Sequence, residues 1–190
     1  MPINLTKGQK VDLTKGNPGL TKIVVGLGWD VNAYDSGAAF DLDAAAFMTN
    51  ASGKCPSEKE FVFYGNLEHA SGSVKHLGDN LTGAGEGDDE QIVIDLDKLP
   101  AQYDRVVLVV TIYQARERGQ QFGMIQNSFI RLVDARNNQE ICRYNLKEQY
   151  DGATAVVFGE VYRHGGEWKF NAIGQPLQVG GIAELVEHYR

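Results

Sequence analysis

The 190-residue chain is 43% hydrophobic and 23% charged, with 25 acidic against 18 basic residues and a formal net charge of -7. That length supports one substantial core and hardly two, so a single domain over residues 1–190 is expected. An acidic surface repels phosphate backbones and anionic lipid while drawing in cations, which argues against nucleic acid as a direct partner.

Residues 2–17 are polar with scattered lysines and lack the apolar stretch of a secretory signal. No segment approaches the roughly 20 apolar residues of a spanning helix, so a cytoplasmic protein without membrane insertion is expected. Ile23-Val24-Val25-Gly26-Leu27-Gly28-Trp29 reads as a strand, with Asp30 at its end. In Phe40-Asp41-Leu42-Asp43-Ala44, an extended backbone sends Asp41 and Asp43 to one face, about 6.6 Å apart, and Phe40 and Leu42 to the core. Cys55 and Cys142 belong to no redox or zinc motif and read as ordinary thiols.

Phe61-Val62-Phe63-Tyr64 and the alternating Ile92-Val93-Ile94-Asp95-Leu96 are further strands. Val106-Val107-Leu108-Val109-Val110-Thr111-Ile112, apolar on both faces, is expected in the middle of a sheet. Residues 114–121 suit a short helix. Arg136-Asn137-Asn138 and Gly165-Gly166 mark two hairpin turns. Ile182, Leu185, Val186 and Tyr189 recur at helical spacing near the C-terminus. Short strands punctuated by glycine, asparagine and aspartate predict a mainly β fold with few short helices.

Residues 79–90, Asp79-Asn80-Leu81-Thr82-Gly83-Ala84-Gly85-Glu86-Gly87-Asp88-Asp89-Glu90, hold five carboxylates and three glycines. Adjacent carboxylates repel by roughly 1 kcal/mol even in water. A calcium ion makes such crowding useful, because it takes about six to eight oxygen ligands, carboxylate and carbonyl alike. Glycines let the main chain turn its carbonyls inward. The helix-flanked calcium loop is excluded, since Leu81 stands at its third ligand position and Ala84 at its required glycine. A phosphate cradle is disfavoured, since the loop is acidic and leads into a strand. The Asp41 and Asp43 spacing is compatible with both reaching one ion, and Asp30 is a further candidate at the same end of a sandwich. His76 suits a supporting role beside the loop.

At these residues the chain resembles the TerD family. The resemblance runs through Leu5-Thr6-Lys7-Gly8, Val25-Gly26-Leu27-Gly28-Trp29-Asp30, Phe40-Asp41-Leu42-Asp43-Ala44 and His76-Leu77-Gly78-Asp79-Asn80-Leu81-Thr82-Gly83. It continues in Gly85-Glu86-Gly87-Asp88-Asp89-Glu90, Gln121-Phe122-Gly123, Ser128-Phe129-Ile130-Arg131-Leu132, Phe158-Gly159-Glu160-Val161-Tyr162-Arg163-His164 and Glu167-Trp168-Lys169-Phe170.

It implies a two-sheet β-sandwich, binding of one or two calcium ions, and a non-enzymatic role in tellurite and general stress resistance. Sibling Ter-type proteins or a membrane-associated Ter complex are the implied partners. The metal ligands implied are Asp41, Asp43, Asp79, Asn80, Asp88, Asp89 and Glu90, with Asp30 as an addition. The chain departs from the family at Gln114, where an aspartate is common, and at residues 150–155. The alternatives are a metal-dependent enzyme acting on phosphate or tellurium oxyanions, and a small-ligand binder such as for a cyclic nucleotide.

Overall fold

The computed structural model describes residues 3–31, 42–77, 88–146 and 152–189. Asp41, Asp79, Asn80 and most of the acidic glycine loop lie outside the described residues, as do residues 150 and 151. Twelve strands and two short α-helices are described: β1 (Ile3–Leu5), β2 (Lys10–Asp12), β3 (Lys22–Val31), β4 (Leu42–Thr49), β5 (Phe61–Val62), β6 (Val74–His76), β7 (Glu90–Asp95), β8 (Arg105–Ile112), α1 (Ala115–Arg118), β9 (Ile125–Asp134), β10 (Gln139–Asn145), β11 (Ala155–His164), β12 (Glu167–Leu177) and α2 (Ile182–His188). They form two six-stranded sheets. Sheet A runs β1-β10-β9-β3-β7-β6 and sheet B runs β2-β12-β11-β8-β4-β5.

Strand alternation builds the layer between the sheets. Sheet A contributes Ile23, Val25, Leu27 and Trp29 from β3, and Ile92 and Ile94 from β7. Sheet B answers with Ala44, Ala46 and Met48 from β4, Leu108 and Val110 from β8, and Phe158 and Phe170 from β11 and β12. Side chains of opposite parity on sheet B form a second apolar layer. Ala45, Phe47, Val107, Val109 and Val157 pack there with Leu185 and Val186 of α2. This accounts for the doubly apolar sequence of β8, which lies between β11 and β4 and is covered on both faces. The helix at residues 182–188 and the short helix after Gln114 stand where the sequence placed them.

The strand expected over Phe61 to Tyr64 stops at Val62. The Phe63 N–H donates to the Asn66 carbonyl (3.1 Å) and the Asn66 N–H back to the Phe63 carbonyl (2.9 Å), so the chain reverses there instead of pairing with β4. Strands β1, β2 and β6 were not anticipated, being three-residue segments too short for a periodic signal. β1 pairs in parallel with β10, whereas β2 pairs with β12 of the other sheet.

Both hairpins form. Gly165 (φ 58°) and Gly166 (φ 79°) make the β11–β12 turn in the left-handed region that glycine adopts without a Cβ clash. In the β9–β10 turn the Arg136 N–H donates to Asp134 Oδ1 (2.9 Å), and its guanidinium Nη2 to Oδ2 (2.7 Å). The Arg136 hydrogen bonds hold the Asp134 carboxyl below its ordinary value of 3.8, against the effect of its burial. A carboxyl with a depressed folded value stabilises the fold above its unfolded value and loses that contribution as pH falls through the folded one. Asp134→Asn should therefore flatten the drop in urea midpoint between pH 5 and pH 2 relative to the parent. An unchanged acid slope would refute the assignment.

Candidate functional site

Asp30, Asp43, Asp88, Asp89 and Glu90 stand at or beside the ends of β3, β4 and β7. β7 starts at Glu90, whose carboxylate points inward like Ile92 and Ile94 and is 2% exposed. Its Oε2 accepts a hydrogen bond of 2.6 Å from the Ala44 N–H on β4, joining sheet A to sheet B. His76 on β6 brings Nε2 to 3.4 Å from the same oxygen, and both side chains are buried. Asp43, next to Ala44, is 3% exposed and stands opposite Thr111 of β8. By parity with Ala45 and Phe47 it faces away from the inter-sheet layer. It lines a cavity of about 260 Å³ with Thr111, Tyr64, Tyr113, Gln114 and Glu117. Gln114, the departure noted in sequence, therefore shares a cavity with Asp43, and its backbone is left-handed (φ 52°).

Asp89 occupies the bend before β7. Its N–H donates to the Leu27 carbonyl (2.8 Å), and its Oδ2 accepts from the Trp29 N–H (2.8 Å). Burial pushes its carboxyl above the ordinary value of 3.8; the Trp29 N–H opposes that shift, and the charges of Asp30 and Asp88 add to it. Asp30 is exposed and accepts from Asn127 Nδ2 (2.8 Å).

Asp88 is placed differently. The bend at Asp89 turns it to the outer face of sheet A, where Arg131 donates through Nε to Oδ1 and through Nη2 to Oδ2, each at 2.8 Å. Gln91 Nε2 adds a third bond (2.9 Å). The carboxylate lies against Gly26, where a Cβ would come within 2.3 Å of Oδ2. Gly26 is thus a space requirement of the Asp88–Arg131 pair. Arg131 belongs to the Ser128-Phe129-Ile130-Arg131-Leu132 motif. Its polar position on an alternating strand was the available signal, and its partner lies 43 residues away.

Among the described residues, no three His, Cys, Asp or Glu side chains converge closely enough to hold a metal ion. Asp30, Asp43, Asp89 and Glu90 are oxygen donors of the kind a hard cation takes, but the described residues do not bring three of them together. Asp41, Asp79 and Asn80 lie outside the described residues.

A second polar cluster, unforeseen in sequence, links Glu60, His69, Ser71 and Ser73. His69 Nε2 is 2.5 Å from Glu60 Oε2, and Nδ1 is 2.7 Å from Ser71 Oγ. The composition is that of a nucleophile, base and acid, but the geometry is that of a turn. The Ser71 N–H also donates to Nδ1 (3.1 Å), and the Gly72 N–H to the His69 carbonyl (2.8 Å). Both predicted ordinary thiols are buried and neither is in a disulfide, and the Cys55 thiol donates to the Ser57 carbonyl (3.2 Å). Burial pushes the Cys142 thiol up to about 12, which keeps it protonated and inert.

A two-sheet β-sandwich with an acidic end describes the class of protein. The TerD domain model matches residues 1–189, and the chain belongs to the TerD domain family. It is 54% identical over 189 residues to general stress protein 16U of Bacillus subtilis (strain 168), covering 100% of this chain and 97% of that protein. It is 47% identical to the tellurium resistance protein TerD of Serratia marcescens, again covering 100% and 97%. The fold matches, with a TM-score of 0.70 at 22% identity, the crystal structure of a homologue of telluride resistance protein (TerD) from Streptomyces coelicolor A3(2), covering 90% of this chain and 99% of that one. Family membership places the chain among tellurium-resistance and general stress-response proteins.

Proposed function

We propose that the chain is a calcium-binding, non-enzymatic, cytoplasmic stress-response protein. In this reading Asp30, Asp41, Asp43, Asp79, Asn80, Asp89 and Glu90 supply the oxygen ligands of one or two ions. Asp88 enters as the anchor of the loop's end, through Arg131. The observation that supports the reading is the buried Glu90 carboxylate of sheet A bonded to the Ala44 N–H of sheet B, with buried Asp43 next along β4 on that strand's other face. Buried carboxylates repel and are poorly solvated, and a divalent cation offsets both costs. Bound calcium would supply charge neutralisation and cross-linking of the loop to β4. The surface so fixed is read as a metal-dependent interaction module for sibling Ter-type proteins or a membrane-associated Ter complex. Among the described residues no helix is long and apolar enough to cross a membrane.

Chelated protein titrated calorimetrically should bind calcium in preference to magnesium. At about 100 times the dissociation constant, calcium should raise stability by roughly 2.7 kcal/mol. Asp43→Asn should remove most of that gain. With Trp168→Phe leaving Trp29 as the sole tryptophan, emission should change on calcium addition, because the Trp29 main-chain N–H is bonded to Asp89 and a charge bound there alters the field at the nearby indole. No heat and no stabilisation up to millimolar calcium would sink the reading.

A further inference from the structure

On the outer face of sheet B, near the end of α2 and away from the acidic residues, lies a cavity of about 350 Å³. Its floor includes Val107, Val157 and Ile173, and its polar walls include Thr49, Arg105, Glu160 and Asn171. The Thr49 residue is 1% exposed, and its Oγ1 is buried with no hydrogen-bond partner among the described residues. The same is true of Asn171 Oδ1. A buried polar atom left unpaired costs about 1 to 3 kcal/mol, so two on residues that line one cavity are a burden on the fold that a molecule seated deeply enough to reach them would relieve.

The backbone builds this arrangement. Thr49 stands opposite Arg105, and Glu160 opposite Asn171, across neighbouring strands of one sheet. Glu160 reaches this face because of the irregularity between Val157 and Gly159. Val156 and Phe158 point into the inter-sheet layer, and unbroken alternation would send residue 160 there too. The irregularity is fixed by Gly159, where a Cβ would meet the Phe170 ring at 2.4 Å and the Asn171 carbonyl oxygen at 2.7 Å. Bulges re-aim side chains beside binding sites, and this one turns a carboxylate out of the core and into the cavity.

The chemistry of an occupant follows from the walls. Arg105 Nη1 donates to Glu160 Oε1 (3.1 Å) and Oε2 (3.4 Å), so the two charges cancel. Asn171 Oδ1 requires a donor, the Thr49 hydroxyl gives one hydrogen bond and takes others, and the remaining Arg105 N–H groups require acceptors. A hydroxyl group both donates and accepts, whereas a net charge would compete with the ion pair. The volume falls within the range of small-molecule sites, about 300 to 1,000 Å³. We propose that this cavity binds a small, uncharged, polyhydroxylated molecule of about sugar size.

The test is an amide and side-chain NMR titration of the full chain with glucose, myo-inositol and trehalose, and with inorganic phosphate and glycine betaine as charged comparisons. Saturable shifts confined to Thr49, Arg105, Glu160 and the Asn171 side-chain amide are expected with at least one of the three neutral probes, and none with the charged ones. Thr49→Val and Asn171→Leu should weaken that binding at least tenfold while leaving the melting temperature of the free protein unchanged or higher. The proposal is overturned if no neutral probe gives saturable shifts, or if phosphate or betaine binds there instead. It is equally overturned if both variants melt lower than the parent, because the two polar atoms would then serve the fold and not a ligand.

Discussion

Arg131→Ala is expected to destabilise the protein by about 3 kcal/mol, measured as the shift in urea unfolding free energy. The Asp88 side chain is 3% exposed, and both its oxygens are held by Arg131. Removing one member of a buried pair leaves a charge with neither water nor a counter-ion, which costs about 3 to 5 kcal/mol. The lower end applies because Arg131 is itself 28% exposed, which lets water approach once its side chain is cut back. Asp30 and Asp89 lie on the same side of the molecule and cannot serve as substitutes, since their charge has the same sign. Asp88→Asn added to Arg131→Ala should recover more than half of the loss, because the stranded charge is gone. A single variant within 0.5 kcal/mol of the parent would show that Asp88 finds solvent or another partner.

Glu90→Ala should cost a similar amount, about 3 kcal/mol, for a different reason. It leaves the Ala44 N–H buried without its acceptor, which alone costs about 1 to 3 kcal/mol, and it opens a void between the sheets. Glu90→Gln keeps an amide oxygen at the same reach and should lose only about 1 kcal/mol. The pair of variants separates structure from ligation. If calcium binds as proposed, both variants lose the calcium-induced rise in melting temperature, although only the alanine form is strongly destabilised without the ion. A glutamine variant that keeps the full rise would remove Glu90 from the ligand set and leave its structural role intact.

How far the sequence foretold these arrangements depends on the distance over which each signal acts. β3, β7, β8, both hairpins and α2 were legible because periodicity, turn residues and apolar runs are local properties. The three-residue strands β1, β2 and β6 were not, since their pairing is decided by partners such as β10 and β12 more than a hundred residues away for the first two. The acidic residues stood out by composition, but where each side chain goes did not. A bend at Asp89, invisible in composition, turns Asp88 onto Arg131, while Glu90 follows the strand inward to Ala44. The cavity at Thr49 and Asn171 left no local trace, because it depends on a register irregularity at Gly159 and on four strands being adjacent.

β1 and β2 are separated by only four residues, yet the first is the last strand of sheet A and the second the last strand of sheet B. One short ribbon therefore hems both sheets along the same flank of the sandwich. Exposed strand margins invite other chains to add on, and here the two margins are sealed by a single piece of backbone. Peeling that ribbon away would uncover β10 and β12 together, so resistance to sticky, strand-wise association on this flank is held in common by the two sheets and is lost in one event.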